Sequence, residues 1–176
     1  PENRIIGSGT ILDTARLRSR LSEYYNINQS NVHAYVFGEH GDSSFIPWSV
    51  ANISNVPIKE CKKLITTPGI NTPELEQYVR KSGARVIARK GATFYAVSVS
   101  VCHICKCLLG GIDTTMTVST MMHGEYGIEN VALSTLNMVG HEGVRGKVND
   151  HMTDEEGMLL RKSADTLKDV ISNLEI

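Results

Sequence analysis

The sequence predicts an α+β domain in which antiparallel or mixed strands pack against long helices. Apolar residues recur at helical spacing in residues 11–25, 72–109 and 153–174, whereas residues 114–148 contain three runs typical of strands, separated by glycine-containing turns. No internal repeat, linker or low-complexity tract divides the chain. The 176 residues therefore fit one domain, 1–176, long enough to bury a core.

Composition argues against two classes of partner. The net charge of -1 gives no basic surface for nucleic acid and no cationic face for a membrane. The longest apolar run, residues 92–105, is too short to span a bilayer and contains serines and a histidine. We expect it to form a buried helix.

Glycines and a candidate capping residue predict the first strand and the first helix. Residues 4–6 are strand-like, and Gly7 and Gly9 end this predicted strand. Thr10 is a candidate N-cap for a helix over residues 11–25.

Two further segments of the first half read as strands. Residues 32–37 are apolar, β-branched and aromatic, as expected of a strand that is at least half-buried. Residues 48–58 alternate loosely around a turn signal at Ser54-Asn55, which predicts a hairpin or short strands.

The second half begins with a helix capped by Thr72, with Pro73 in its first turn. Gly83 and Gly91 predict a kinked or broken pair of helices that ends before Gly110. Strands are predicted at 114–122, 131–138 and 143–148, the first two joined by a turn at 124–127. Thr153 begins a last helix, whose inner side is predicted to carry Met158, Leu159, Leu167, Val170, Ile171 and Leu174.

Four cysteines, at positions 61, 102, 105 and 107, do not form the pattern of a disulfide framework. Their number suits a reducing compartment, and we expect a cytoplasmic protein. Cys102, His103 and Cys105 do not all share one helix face, and no second pair follows at zinc-finger spacing. We therefore expect no metal site and assign these cysteines to the core.

His40 is the candidate reactive residue. It lies between Gly38 and Gly41, on a tight turn after a predicted strand, and rigid turns of this kind often hold reactive side chains. Imidazole can give and take a proton near neutral pH. The alternative is that His40 is only a structural turn residue.

Asp13 and Arg16 are three residues apart and share one face of the predicted helix. One interpretation is a surface ion pair, worth at most about 1 kcal/mol. The other gives each a separate partner. A carboxylate can fix the tautomer of a histidine, and a guanidinium fork suits a small carboxylate substrate.

Two motifs, together, resemble the substrate-binding C-terminal domain of L-lactate dehydrogenases in the lactate/malate dehydrogenase family. They are Ile-Gly-Ser-Gly-Thr-x-Leu-Asp-x-Ala-Arg-x-Arg at 6–18 and Gly-Glu-His-Gly-Asp-Ser at 38–43. The similarity extends through residues 47–53, 90–95 and 124–127. Glu39 favours the lactate branch, because malate dehydrogenases usually carry Gly before His-Gly-Asp; malate and branched 2-hydroxy acid dehydrogenases are the alternatives.

The resemblance implies a role for each site residue. Asp13 would hold His40, which would protonate the keto oxygen of pyruvate and accept the proton back from lactate, while Arg16 would bind the substrate carboxylate. Three further residues would contact the substrate or the NAD cofactor: Thr93 would line the substrate pocket, Ser8 would lie near the nicotinamide amide, and Val97 would press on the nicotinamide ring.

Arg18 and His33 are assigned to a second site. Arg18 is roughly 200° around the helix from Arg16 and faces away from it. His33 is an odd number of positions before His40, which in an unbroken strand would place it on the opposite face. Solvated surface residues are the alternative. In lactate dehydrogenases of the bacterial type activated by fructose 1,6-bisphosphate, residues at these two spacings bind the effector at a subunit interface, so the resemblance implies a homotetramer with this activator.

The glycine fingerprint of dinucleotide-binding domains, Gly-x-Gly-x-x-Gly, does not occur in the sequence. We therefore expect NAD to be bound mainly by an upstream Rossmann domain outside this chain, with residues 1–9 as the end of its last strand and the crossover. The residue that selects the substrate side chain would also lie upstream, and the fragment alone should be inactive. An alternative class is a non-catalytic oligomerisation or phosphosugar-sensing module in which His40 is structural.

Overall fold

A computed structural model describes residues 1–64, 70–148 and 151–174 of the chain. The helices of these ranges are α1 (Ile11–Tyr25), α2 (Ile58–Leu64), α3 (Thr72–Arg80), α4 (Ser82–Lys90), α5 (Tyr95–Leu109) and α6 (Asp154–Ser172). The strands are β1 (Val32–His33), β2 (Asn52–Ile53), β3 (Val56–Pro57), β4 (Thr114–His123), β5 (Glu129–Gly140) and β6 (Gly143–Lys147). Short 3-10 helices cover Glu2–Arg4, Gln29–Asn31 and Glu125–Gly127.

The larger sheet is antiparallel, in the order β4-β5-β6, with β5 in the centre. Val118 pairs with Thr135 near the middle of the long β4–β5 hairpin. Its turn needs Gly124, whose φ of 111° is in the left-handed region. The three predicted strands and the turn between the first two are confirmed.

The smaller sheet, β1-β2-β3, is also antiparallel. Ser54 (φ 47°) and Asn55 (φ 70°) both have positive φ and connect β2 to β3. A two-residue loop of this kind matches the right-handed twist of a hairpin. The predicted hairpin within residues 48–58 is confirmed.

Three apolar clusters hold the elements together. Leu17 and Leu21 of α1 pack with the segment that begins at Val32. Leu160 of α6 packs with Leu133 of β5 in a second cluster. A third cluster joins the C-terminal half of α5 to β4 and β5 and contains Ile104, Cys107, Met116, Val118 and Val139. The segment after β1 therefore runs between α1, α6 and the larger sheet.

Two strand predictions near the site need correction. Residues 4–6 form no strand: Glu2–Arg4 is a 3-10 helix, and only Gly7 pairs with the sheet, at Ser119. The strand predicted over 32–37 is regular only at Val32–His33. At Val36 the backbone C=O and N–H bond to the side chains of Thr10 and Thr14 instead of a neighbouring strand.

The helix predictions were right in kind and wrong in several boundaries. The bounds of α1 are confirmed. The cap of α3 is Asn71, whose side chain accepts from the backbone N–H of Glu74, and not Thr72. The helices break at Lys81 and again between Gly91 and Phe94, while Gly83 lies inside α4. Helix α2 was missed.

Two predictions of burial were wrong. Helix α5 is mostly exposed; of its cysteines, Cys107 is buried, whereas Cys102 and Cys105 are exposed. The apolar residues assigned to the inner side of α6 are also exposed, except for the half-buried Leu167. The buried side of α6 instead carries Gly157, Leu160, Ser163 and Ala164. Both helices have apolar residues on two sides, and periodicity alone does not say which side packs.

The described ranges contain no helix with the length and apolarity needed to cross a bilayer. The same ranges hold no group of three or more His, Cys, Asp or Glu side chains placed to bind a metal ion.

Candidate active site

His40 lies on the turn that follows β1 and the segment beyond it. Phe37 pairs with Phe45 across this turn, and Gly38 pairs with Ser134 of β5. Gly38 has a φ of 97°, and a Cβ there would lie 2.6 Å from Ser163 Oγ. The turn therefore requires glycine at this position for both its backbone conformation and its close approach to α6.

Asp13 of α1 contacts His40 directly. Its Oδ2 lies 2.6 Å from His40 Nδ1, and Asp13 is buried whereas the His40 side chain is 61% exposed. An ionised carboxylate can only accept, so Nδ1–H is the donor and Nε2 is left facing outward. The Asp13 hydrogen bond raises the pKa of His40 and outweighs the opposing effect of partial burial.

Arg16 contacts the same carboxylate. Its Nη1 lies 3.0 Å from Asp13 Oδ1, as an i,i+3 ion pair on α1. Asp13 therefore has two partners, since one oxygen pairs with Arg16 and the other with His40, and the pair with Arg16 is largely buried and not at the surface. The structure brings the imidazole of His40 and the guanidinium of Arg16 together through one buried acid.

Arg16 also lines a cleft of about 660 Å³ between α1 and α4. The cleft is rich in positive charge: its other basic residues are Arg20, Arg85, Arg89 and Lys90. Glu23, which pairs with Arg20 at 3.0 Å, is its one acidic residue within the described ranges. An anion that reaches Arg16 would therefore pass through a favourable field.

Two threonines fix α1 against the segment that leads to His40. The hydroxyl of Thr10 donates to the carbonyl of Val36, and the Val36 N–H donates to Thr14 Oγ1 at 2.9 Å. Thr10 is thus at the N-cap position, as predicted, but its side chain does not cap the helix. Asp13 lies between these two anchors. Sequence reasoning missed Thr14; hydroxyls four residues apart on one helix face were the available signal.

Ser163 of α6 holds the turn from the other side. Its Oγ accepts from the backbone N–H of Glu39 at 2.8 Å and lies 2.8 Å from Ser43 Oγ. Sequence reasoning missed Ser163, because a serine 120 residues from its partner carries no local signal.

The structure does not join the remaining predicted substrate and cofactor residues to this centre. Ser8 is exposed, next to Gly9, which lines the same concavity as His40. Thr93 is partly buried just before α5, and Val97 is 39% exposed one turn further on. Among the described residues, no hydrogen bond connects these three side chains to Asp13, Arg16 or His40.

Arg18 and His33 lie apart from the cleft. Arg18 Nη2 donates to the carbonyl of Gln29 at 3.2 Å, on the far side of α1 from Arg16. Within the described structure, the buried Nε of Arg18 has no hydrogen-bond partner. His33 is exposed on β1. Arg18 contacts the start of the Gln29–Asn31 segment and His33 follows its end, and no hydrogen bond among the described residues joins the two side chains.

Residues 10–175 match the family described as lactate/malate dehydrogenase, alpha/beta C-terminal domain. The chain belongs to this family. The expected fold class, the α+β C-terminal domain of lactate/malate dehydrogenases, is confirmed.

Curated relatives and solved structures agree with this assignment. The L-lactate dehydrogenase of Acetivibrio thermocellus is 41% identical and is matched by 100% of this chain and 56% of its own length. That of Thermoanaerobacterium saccharolyticum is 39% identical over 100% of this chain and 57% of its length. A solved L-lactate dehydrogenase from Clostridium thermocellum superposes with a TM-score of 0.91 at 38% identity, over 100% of this chain and 58% of that one. This chain thus spans about 56% of the length of the curated relatives it matches.

Proposed function

We propose that this chain is the substrate-binding half of an NAD-dependent L-lactate dehydrogenase, which interconverts pyruvate and L-lactate. One observation carries the proposal: the buried Asp13 carboxylate holds a proton donor, His40, and a guanidinium, Arg16, on its two oxygens. The relatives named L-lactate dehydrogenase support the substrate.

Each residue has a defined task in this reaction. The Arg16 guanidinium binds the carboxylate of pyruvate, for which a planar fork is suited. His40 Nε2 donates a proton to the keto oxygen and takes it back from the hydroxyl of lactate. Asp13 keeps the proton of Nδ1 in place and stabilises the imidazolium, so His40 stays protonated to a higher pH than an ordinary histidine.

NAD supplies or accepts the hydride when it is bound. The exposure of Ser8 and Val97 leaves both free to contact a cofactor on this side, so the residues present fit one flank of the nicotinamide. Without the glycine fingerprint, this chain would contribute little to binding of the remaining dinucleotide. We therefore expect the relatives' additional length to correspond to the NAD-binding domain, and this chain alone to be inactive.

The test is His40→Asn in the whole enzyme. Loss of the proton donor should lower turnover of pyruvate by roughly 10²-fold or more. His141→Asn, at an exposed turn between β5 and β6, is the matched control and should leave turnover unchanged. Turnover within about threefold of wild type for His40→Asn would exclude His40 from the mechanism and favour a non-catalytic module.

Arg16→Lys tests substrate binding separately. An ammonium cannot form the two parallel bonds of a guanidinium, so the KM for pyruvate should rise by roughly tenfold or more while binding of NADH is unchanged. An unchanged KM would contradict the assignment of Arg16.

We also propose that Arg18 and His33 bind fructose 1,6-bisphosphate at an interface of a homotetramer. The Arg18 guanidinium at Gln29 and the exposed His33 lie at the two ends of the same short segment, and this arrangement supports an anion at this surface. A bisphosphate that binds only the assembled state would stabilise that state.

The double variant Arg18→Gln, His33→Gln should lose activation by the sugar bisphosphate and keep the maximal rate at saturating pyruvate. Activation equal to that of wild type would place the effector elsewhere.

A further inference from the structure

One hydroxyl of helix α6 contacts the His40 turn at two places. Ser163 is fully buried, and its oxygen contacts both the Glu39 N–H and the Ser43 hydroxyl, each at 2.8 Å. These two groups lie on either side of His40. Movement of the turn is therefore limited at both ends by one side chain from the other end of the chain.

The hydrogen-bonding capacity of Ser163 matches this position. A hydroxyl has one donor and two acceptor sites, and it can accept from Glu39 while it gives to or accepts from Ser43. A buried polar group without partners would destabilise the fold. The turn also lies so close to α6 that there is no room for a side chain at position 38. A Cβ on Gly38 would lie 3.2 Å from Ser163 Cβ.

A second contact from α6 provides a comparison. Glu156 accepts from the backbone N–H of Ser49 at 2.9 Å and also from the Ser49 hydroxyl. It therefore fixes the far end of the same stretch of chain, nine positions after His40. Both contacts hold the stretch to α6, but that of Ser163 is made at Glu39, the residue directly before His40.

We propose that Ser163 is a positioning residue, which holds the His40 imidazole on Asp13 by fixing the backbone at Glu39 and the side chain at Ser43. The catalytic part of this inference rests on the proposed function; the structural part does not. Without the hydroxyl, the turn gains freedom, and the 2.6 Å contact between His40 and Asp13 is made for a smaller fraction of the time.

The first measurement is an NMR titration of the His40 imidazole in this chain. Since the Asp13 bond raises the pKa of His40, Ser163→Ala should move that pKa back towards the ordinary histidine value of about 6.5. Ser172→Ala, an exposed serine on the same helix, is the matched control and should have no effect. Ser163→Cys keeps a weak polar group of similar size and should fall between wild type and alanine.

Glu156→Ala separates positioning from general stability. It removes the contact of α6 with Ser49 and the capping bond of Glu156 to Thr153, and it should lower the urea midpoint while the pKa of His40 stays at its wild-type value. If Ser163→Ala does not fold, Ser43→Ala replaces it as the test. This variant removes one of the two hydrogen bonds of Ser163 and should shift the pKa of His40 by a smaller amount in the same direction. The inference would be overturned if the pKa of His40 in folded Ser163→Ala equalled that of wild type. If Ser163→Ala does not fold, the same result in Ser43→Ala would overturn it.

The second measurement is catalysis by the whole enzyme. Small errors in the placement of a catalytic group cost up to about 10²-fold in rate, so Ser163→Ala should lower turnover by roughly 10-fold to 10²-fold. The KM for pyruvate should change little, because Arg16 is held by α1 and not by the turn. Lack of lactate dehydrogenase activity in wild type, together with the expected pKa shift, would reject the proposed function and leave the positioning role intact.

Discussion

The His40 turn and the α4–α5 region differ in what holds them in place. The turn contains little regular secondary structure, yet side chains from α1 and α6 and the backbone of β5 fix its backbone at several points. Helices α4 and α5 are regular but have many exposed apolar residues, among them Val86, Ile87, Phe94, Tyr95 and Val99. Regular secondary structure is thus a poor guide to how firmly a region is held here. Hydrogen bonds from three elements hold the His40 turn, whereas the two helices expose many of their apolar side chains.

The largest expected difference is between two leucines. Leu17 is fully buried beneath the site, and Leu109 at the end of α5 is 85% exposed. Leu17→Ala should lower the free energy of unfolding by about 2–5 kcal/mol through lost burial and a cavity. Leu109→Ala should change it by about 0.5 kcal/mol or less. Urea denaturation of both variants measures this, and equal losses would mean that the α5 end is as well packed as the core.

Two glycines give a sharper comparison. Gly38 and Gly91 both have positive φ, 97° and 77°, but an added Cβ meets Ser163 at Gly38 and no atom within 4 Å at Gly91. Both alanine variants carry the backbone cost of about 1–2 kcal/mol. Gly38→Ala should lose about 1–3 kcal/mol more through overpacking. Similar unfolding free energies for the two variants would show that the turn can move away from α6.

The smallest expected effect is a dependence of stability on pH. A histidine whose pKa is raised in the folded state stabilises it below the unfolded value of about 6.5, and this contribution is lost as the pH rises through the folded pKa. His40→Gln should therefore remove a low-pH gain of about 1 kcal/mol or less, given the exposure of the imidazole. His103→Gln on α5 is the matched control. The measurement is the free energy of unfolding at pH 5.5 and at pH 8.5. A His40→Gln variant with the same difference between the two pH values as wild type would contradict this prediction.

What could be predicted from the sequence was local. The bounds of α1 and the hairpin at Ser54-Asn55 follow from capping, periodicity and turn residues that are close in the chain. The pair of Asp13 and His40, which the structure brings together, was implied by the family resemblance that the two motifs carry. Ser163 could not be found this way, since its partners are set by how α6 docks. The same limit explains the wrong inner side of α6, where apolar residues occur on both faces.

The contact between Glu39 and Ser163 also orders events during synthesis of the chain. Asp13 and His40 are 27 residues apart, so they can come into contact before the strands of the larger sheet have been translated. Ser163 follows Glu39 by 124 residues, which takes about 6–25 s at ordinary rates of translation. Until α6 emerges, the nascent His40 turn lacks its outer support. A chain released early would therefore carry every residue of the Asp13 centre and still hold its histidine loosely.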